Sequence, residues 1–251
     1  DASTGIEYHK YGTHTFHTNH EMVWKYANQF TTFNCYSHQS LAKYKNKIYQ
    51  LPINLDTINS FFNKNFNPNQ AKQYLEKQTH PYKRVEEFNF ESKALSQIGK
   101  KLYEAFIKNY TTKQWGKHPK KLPSTIFNRL PLRFNYSQVY QKNVKWQGIP
   151  EHGYTKLVSN LLDNKKIDIK LNCNFSLLDK KFDVKYFTIY TGPLDKFLNF
   201  KHGKLEWRSL RFEKKIINTV DYQGNSVINY PELKYKFTRI HEPKHIHVER
   251  N

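Results

Sequence analysis

The sequence predicts an α+β fold, with a helical subdomain packed against a mostly antiparallel β-sheet domain. Three observations predict it. Apolar residues recur at helical spacing through the first half of the chain. Alternating, β-rich runs dominate the second half. Aromatic residues make up 16% of the chain, enough to supply the burial that a disordered polyelectrolyte lacks. The change of pattern places a boundary after residue 131, giving a mostly helical unit over 19–131 and a β-rich unit over 132–251.

The elements follow in order. Thr18-x-x-Glu21 reads as a capping box opening a helix with Val23, Tyr26, Ala27 and Phe30 on one face. Leu41–Tyr44 and Ile48–Leu51 read as a hairpin around Lys45, Asn46 and Lys47. Asp56 caps a short helix carrying Ile58, Phe61 and Phe62. Asn67-Pro68 reads as N-cap and first-turn proline of a helix with Ala71, Tyr74 and Leu75. The strongest helical spacing, Leu95, Ile98, Leu102, Ala105 and Phe106, predicts a helix over 92–108. A short helix starts at Pro123 and stops before Pro131. Tyr154–Leu162 is helical, with Leu157, Val158, Leu161 and Leu162 on one side. The predicted strands are Ile167–Leu171, Val184–Tyr190, Leu205–Phe212, Ser226–Tyr230 and Tyr235–Ile240. Asn63–Gln70 and Lys77–Glu87 are the expected loops.

Charge and composition narrow the function. The 251 residues carry 41 Lys and Arg against 21 Asp and Glu, a formal charge of +20. The lysines are spread along the chain, which points to a solvated surface and leaves nucleic acid as a nonspecific, salt-sensitive partner only. No long uncharged apolar run exists, so no membrane span is expected. Cys35 and Cys173 stand far apart in sequence and argue no disulfide framework, which makes a reducing, cytoplasmic setting the default reading. The chain opens at Asp1 with Met22 as its one methionine, and shows no targeting segment; it reads as a processed product or a fragment.

Arginine is scarce here, and five of its positions fall in three short segments: Arg129 and Arg133, Arg208 and Arg211, and Arg239. Arginine presents a planar fork of donors that matches phosphate oxygens two at a time. A convergent anion site and ordinary surface ion pairing both remain open, because sequence does not show that the segments meet.

Several motifs fail. His241-Glu242-Pro243-Lys244-His245 has the spacing of a zinc protease, but Pro243 blocks the helix that would put both histidines on one face. His14, His17 and His20 sit in an extended stretch and read as hydrogen-bonding residues, so no metal is expected. No Gly-x-Gly occurs among the 9 glycines, which removes a dinucleotide fingerprint, and no P-loop or Gly-x-Ser-x-Gly elbow is present.

Ten collinear runs carry a resemblance. They begin with His9-Lys10-Tyr11-Gly12 and His14-Thr15-Phe16-His17-Thr18, then Leu51-Pro52-Ile53-Asn54-Leu55-Asp56-Thr57-Ile58-Asn59. Tyr110-Thr111-Thr112-Lys113-Gln114-Trp115-Gly116 and Arg129-Leu130-Pro131-Leu132-Arg133-Phe134 follow. Gln147-Gly148-Ile149-Pro150, Trp207-Arg208-Ser209-Leu210-Arg211 and Phe237-Thr238-Arg239-Ile240 are among the rest. Together they resemble the prokaryotic-type UDP-galactopyranose mutases over nearly the whole chain.

The resemblance implies an isomerase of the α/β flavoprotein-like class that interconverts UDP-galactopyranose and UDP-galactofuranose by reduced-flavin covalent catalysis, in cell-surface polysaccharide synthesis. It implies FAD as cofactor and UDP-galactose as substrate, and leaves a homodimer open. Residues 1–18 then read as the edge of an incomplete Rossmann-type FAD domain, whose glycine-rich turn has no counterpart in these 251 residues. Residue by residue, Arg129 matches a mobile-loop arginine and Arg239 a second diphosphate arginine, with Arg208 and Tyr140 in the same cleft. Tyr110, Trp115 and Phe106 match an aromatic wall around the uridine, with core packing as the alternative for each. Asn54 and Asn229 match polar substrate contacts. His17 matches a histidine whose backbone approaches the flavin, and His14 its neighbour. The alternative functions are a nucleotide-sugar binder that has lost catalysis and, more remotely, a basic nucleic-acid-binding protein.

Overall fold

A computed structural model describes residues 3–83, 89–129, 132–140, 143–174 and 187–247; the side chain of Arg129 is outside the described set. The protein is α+β. Its main sheet has four strands in the order β3-β2-β5-β6: β2 is Ser40–Tyr44, β3 Lys47–Leu51, β5 Val227–Asn229 and β6 Arg239–His241. β2 pairs antiparallel with β3 and parallel with β5, and β5 pairs antiparallel with β6. The sheet is therefore mixed, and it joins strands from both sides of residue 131. A separate antiparallel ribbon pairs β1 (Phe16–Thr18) with β4 (Trp146–Gly148).

The β2–β3 hairpin forms where expected. Lys45 and Asn46 both take positive φ, 47° and 61°, the left-handed pair that suits the strand twist. The chain then crosses a cis peptide at Leu51-Pro52 into α2 (Leu55–Phe62). Its cap is Asn54, not Asp56: the Asn54 carboxamide oxygen accepts from the Thr57 N–H at 3.0 Å. α3 (Pro68–Thr79) starts at the Asn67 capping box, completed by Gln70, so only Asn63–Asn67 remains loop. Residues 77–79 of the second expected loop belong to α3.

The predicted helix over 92–108 is two pieces and runs on into a third. α4 (Phe90–Leu102) bends at Gly99, whose φ of 73° and ψ of 166° leave the helical region. A π-helical stretch, Tyr103–Lys108, follows, and α5 (Asn109–Trp115) extends it to a left-handed Gly116. Gly99 is required there: its φ suits glycine, and a Cβ would press on Gln78 of α3 at 3.1 Å. α2, α3, α4 and the π-helical turn enclose one core with the sheet, centred on Ile58, Leu75, Phe90, Leu102 and Phe127. Ala42 and Tyr49 bring one face of the sheet into it.

Two expectations fail locally. Thr18 does not cap a helix; it ends β1, and its hydroxyl accepts from the His20 N–H. α1 runs Glu21–Ala27 and turns Trp24 and Ala27 inward, leaving Met22, Val23 and Tyr26 exposed. The cause is the ribbon beside it: Trp24 stacks with Phe33 at 4.9 Å, and Phe16 joins them. The short helix after Pro123 is a 3-10 stretch, Ser124–Arg129, and α6 (Gly153–Leu162) forms as expected with Leu157 buried.

The predicted β-rich half is the larger correction. Ile167–Leu171 and Leu205–Phe212 are exposed and outside any ladder. Of Val184–Tyr190, residues 184–186 lie outside the described set and the rest is not strand. Ser226–Tyr230 and Tyr235–Ile240 shrink to the three-residue β5 and β6. Alternation specifies a face, but a strand exists only where another strand takes its hydrogen bonds. A short α7 (Leu194–Phe197) lies in this region. Among the described residues, no helix is long and apolar enough to cross a membrane.

Candidate functional site

β6 places Arg239 at the sheet's edge, opposite Asn229 of β5. The guanidinium donates to the Tyr110 hydroxyl in a very short contact and sits 5.7 Å from the Tyr110 ring centre. Tyr110 comes from α5, so the helix and the sheet edge meet through this pair. Burial pushes the Tyr110 hydroxyl pKa up, while the Arg239 charge opposes the shift. Asn229 has a buried Oδ1 with no hydrogen-bond partner among the described residues. A polar atom of that kind costs free energy unless something else supplies a donor.

Tyr140 approaches the same place. Its N–H donates to the His38 carbonyl at 3.1 Å and its ring lies 5.5 Å from the His38 ring. Arg133 braces this loop from the other side, donating to the Ser137 hydroxyl at 2.8 Å. His38 is held on both ring nitrogens, by the Tyr36 hydroxyl at 3.0 Å and the Ser40 hydroxyl at 3.1 Å. Burial first, and the Arg239 charge second, hold His38 below the usual imidazole range. His241, two residues beyond Arg239, is pushed down to about 4 by burial, with Arg239 and His38 adding to the shift. Arg239 thus stands beside imidazoles whose pKa values are held down.

At the far end of α5, Arg208 donates from Nε to the Trp115 carbonyl at 2.6 Å. Trp115 is half-buried against the helical core. Two of the three arginine segments therefore meet on one helix, through Tyr110 and Trp115. The backbone of Arg129 closes the Ser124–Arg129 stretch, and its side chain lies outside the described residues.

The structure separates other expected residues from this cleft. Phe106 is 3% exposed and packs on Tyr44, Tyr49 and Phe61, so it belongs to the core and not to an open wall. Asn54 is fully buried; beyond its cap, its amide donates to Gln50 Oε1 at 2.6 Å and the Ser137 carbonyl at 3.4 Å. Both of its functional groups are engaged within the fold.

His14 and His17 stand on another surface. With Thr15, Phe16 and Tyr154 they line a shallow, open hollow. The Tyr154 hydroxyl donates to the His14 carbonyl at 2.8 Å, and burial raises that hydroxyl's pKa to about 12. This segment is tied to the Arg239 strand: the Thr13 hydroxyl contacts His241 Nδ1 at 3.2 Å.

Among the described residues, two trios bring possible metal ligands within 4.8 Å of one another: Glu7, His9 and His247, and Asp221, Glu242 and His245. In the first, the His14 N–H donates to His9 Nδ1 at 3.2 Å, and Asn34 Nδ2 faces His247 Nδ1 at 3.5 Å. Asn34 is fixed in that orientation because its Oδ1 accepts from Tyr36 and Ile149 N–H groups. His247 Nε2 lies 3.3 Å from the Glu7 carboxylate. In the second trio the carboxylates accept from the backbone N–H groups of Tyr222, Gln223 and Gly224 and lock that turn. Both are hydrogen-bonded clusters.

Sequence reasoning missed His38, His241 and Lys113. His38 has no sequence signal, since Ser226 and Arg239 lie about 190 and 200 residues away in the chain. Lys113 has one: it stands three residues after Tyr110, on the same helix face.

Fold and site together define an α+β protein in which Arg239, on a sheet edge, pairs with Tyr110 of a neighbouring helix. Comparison with known proteins narrows this. The UDP-galactopyranose mutase family profile matches residues 105–251, more than half the chain, and the chain belongs to that family. It is 42% identical over 245 residues to a probable UDP-galactopyranose mutase of Klebsiella pneumoniae, covering 98% of this chain and 62% of that protein. It is 36% identical over 249 residues to a dTDP-fucopyranose mutase of Escherichia coli, covering 98% of this chain and 66% of that protein. A UDP-galactopyranose mutase of Mycoplasma genitalium is 31% identical over 258 residues, covering 93% of this chain and 60% of that protein. The chain thus spans somewhat under two thirds of the length of these relatives.

Proposed function

We propose that this chain builds the nucleotide-sugar cleft of a flavin-dependent mutase that interconverts UDP-galactopyranose and UDP-galactofuranose. The observation that carries this reading is Arg239, oriented by the Tyr110 hydroxyl beside Asn229, whose buried Oδ1 has no partner among the described residues. In this reading the Arg239 fork takes the diphosphate, whose charge grows as UDP departs. Tyr140 and Arg208 flank it, Trp115 stacks on the uracil, and Arg129 closes over the phosphates. Asn229 donates or accepts at the ligand, and Asn54 acts through the Ser137 loop that it buttresses.

The hollow at His14–His17 offers backbone and imidazole groups to a flat ring, and the neighbouring Thr13 hydroxyl contacts His241 of the Arg239 strand. No Gly-x-Gly stands in the chain for the pyrophosphate. FAD, when bound, supplies the covalent chemistry; the residues of this chain bind and orient the nucleotide sugar. The Escherichia coli relative supports a second reading, in which the nucleotide is dTDP and the sugar a fucopyranose.

The test is Arg239→Lys, with Arg211→Lys as control, since Arg211 is exposed and among the described residues pairs with Glu213 at 3.1 Å. Losing a bidentate charge-assisted contact costs about 1.5–3 kcal/mol, so UDP affinity should fall roughly ten- to a hundredfold. Arg211→Lys should be silent. Titrating UDP and dTDP into each protein ranks the two nucleotides, and unchanged UDP affinity in folded Arg239→Lys would overturn the diphosphate role.

A further inference from the structure

Nine residues, Tyr230 to Thr238, connect β5 to β6, and their carbonyls converge on one side chain. Lys113 Nζ lies 2.5 Å from the Tyr230 oxygen, 2.8 Å from that of Phe237, and 3.0 Å from those of Glu232 and Tyr235. An ammonium has three N–H groups, so the four acceptors share them. Four carbonyl dipoles pointing inward repel one another unless a cation sits among them. A compact ammonium fits such a cage, and a planar guanidinium does not. The rings of Tyr230, Tyr235 and Phe237 pack together outside it, at 4.9 to 5.6 Å.

The location matters more than the bonds. The loop begins one residue after Asn229 and ends one residue before Arg239. Lys113 comes from α5, on the face that carries Tyr110, and lies two residues from Trp115. One ammonium therefore joins the helix of the aromatic wall to both flanks of the sheet edge.

We propose that Lys113 is a positioning residue for nucleotide binding: by gathering the β5–β6 loop carbonyls it sets the distance between Arg239 and α5, so that diphosphate and base are held together. This rests on the reading that Arg239 takes a diphosphate. Lys113 itself faces carbonyls and needs no contact with the ligand.

A double-mutant cycle in the intact protein tests it, using UDP and uridine as probes with Lys113→Met, Arg239→Lys and the pair. Lys113→Met should weaken UDP by between ~tenfold and ~hundredfold, the loss that follows an ångström-scale misplacement, and uridine by less than about twofold. In the Arg239→Lys background the same change should cost UDP less than about threefold, because the two residues act as one unit. Additive losses, or equal losses for UDP and uridine, would overturn the proposal and leave Lys113 as a support of α5 alone. Unchanged UDP affinity in Arg239→Lys by itself would instead sink the diphosphate reading. Coupling is reciprocal, so UDP should also protect Lys113 in the wild type. Amine-labelling rates read by mass spectrometry give that result even if Lys113→Met fails to fold: slower labelling with UDP than with uridine supports the proposal, and equal rates refute it.

Discussion

Asn54→Ala separates a structural role from a ligand role at a residue that resemblance alone assigns to substrate. The side chain is 0% exposed and makes three contacts: from Thr57 N–H at 3.0 Å, to Gln50 Oε1 at 2.6 Å and to the Ser137 carbonyl at 3.4 Å. Losing an N-cap costs about 1 kcal/mol. Leaving the half-buried Gln50 Oε1 without its donor costs a further ~1–2 kcal/mol. The long Ser137 contact adds little, so the sum is on the order of 3 kcal/mol. For a chain of this size each kcal/mol moves the melting midpoint by about 2–4 °C, which gives a drop of roughly 6–12 °C. Thermal unfolding followed by circular dichroism reads the drop, and UDP titration well below the transition reads the ligand role. The reasoning fails if the midpoint stays within ~2 °C of wild type while UDP affinity falls, for then the side chain serves the ligand and its buried bonds are expendable.

Other perturbations reach other parts of the fold. Gly148→Ala should destabilise the β1–β4 ribbon by about 1–3 kcal/mol, because its Cβ would overlap the Asn34 carbonyl oxygen and press on Phe33 at 3.2 Å; urea unfolding measures this, and a wild-type midpoint would contradict it. His241 is held down to about 4 in the folded state, so between its ordinary value near 6.5 and 4 the unfolded chain binds more protons. Stability should therefore fall as pH drops through that window, with His241 contributing up to about 1.4 kcal/mol per pH unit. His241→Gln should flatten the slope there, and an unaltered slope would mean that His241 titrates alike in both states. The 251-residue chain purified alone should carry no stoichiometric flavin, since it offers no glycine-rich turn for the pyrophosphate; a visible spectrum with one flavin per chain would overturn this.

By itself the sequence determined the features whose causes are local. The Lys45-Asn46 turn, the Asn67-Pro68 helix start and the core faces of α3 and α4 need only neighbouring residues and a fixed period. It also carried family membership, because ten short runs kept their order and spacing. It could not decide which alternating runs become strands. Leu205–Phe212 has the pattern, but among the described residues it is outside any ladder, while Val227–Asn229 is a strand because β2 and β6 flank it. Nor could it assign roles among equal residue types. Phe106 and Trp115 are both aromatic residues of one helical run, and only packing sent the first into the core. Asn54 and Asn229 are both asparagines in matching motifs, and only the tertiary structure showed one fully bonded and the other with a buried oxygen left over. The Tyr110–Arg239 pair and the Lys113 cage join positions more than a hundred residues apart. Such contacts are set by how β6 docks beside β5 and how α5 lies against that edge, and no local period or spacing encodes them.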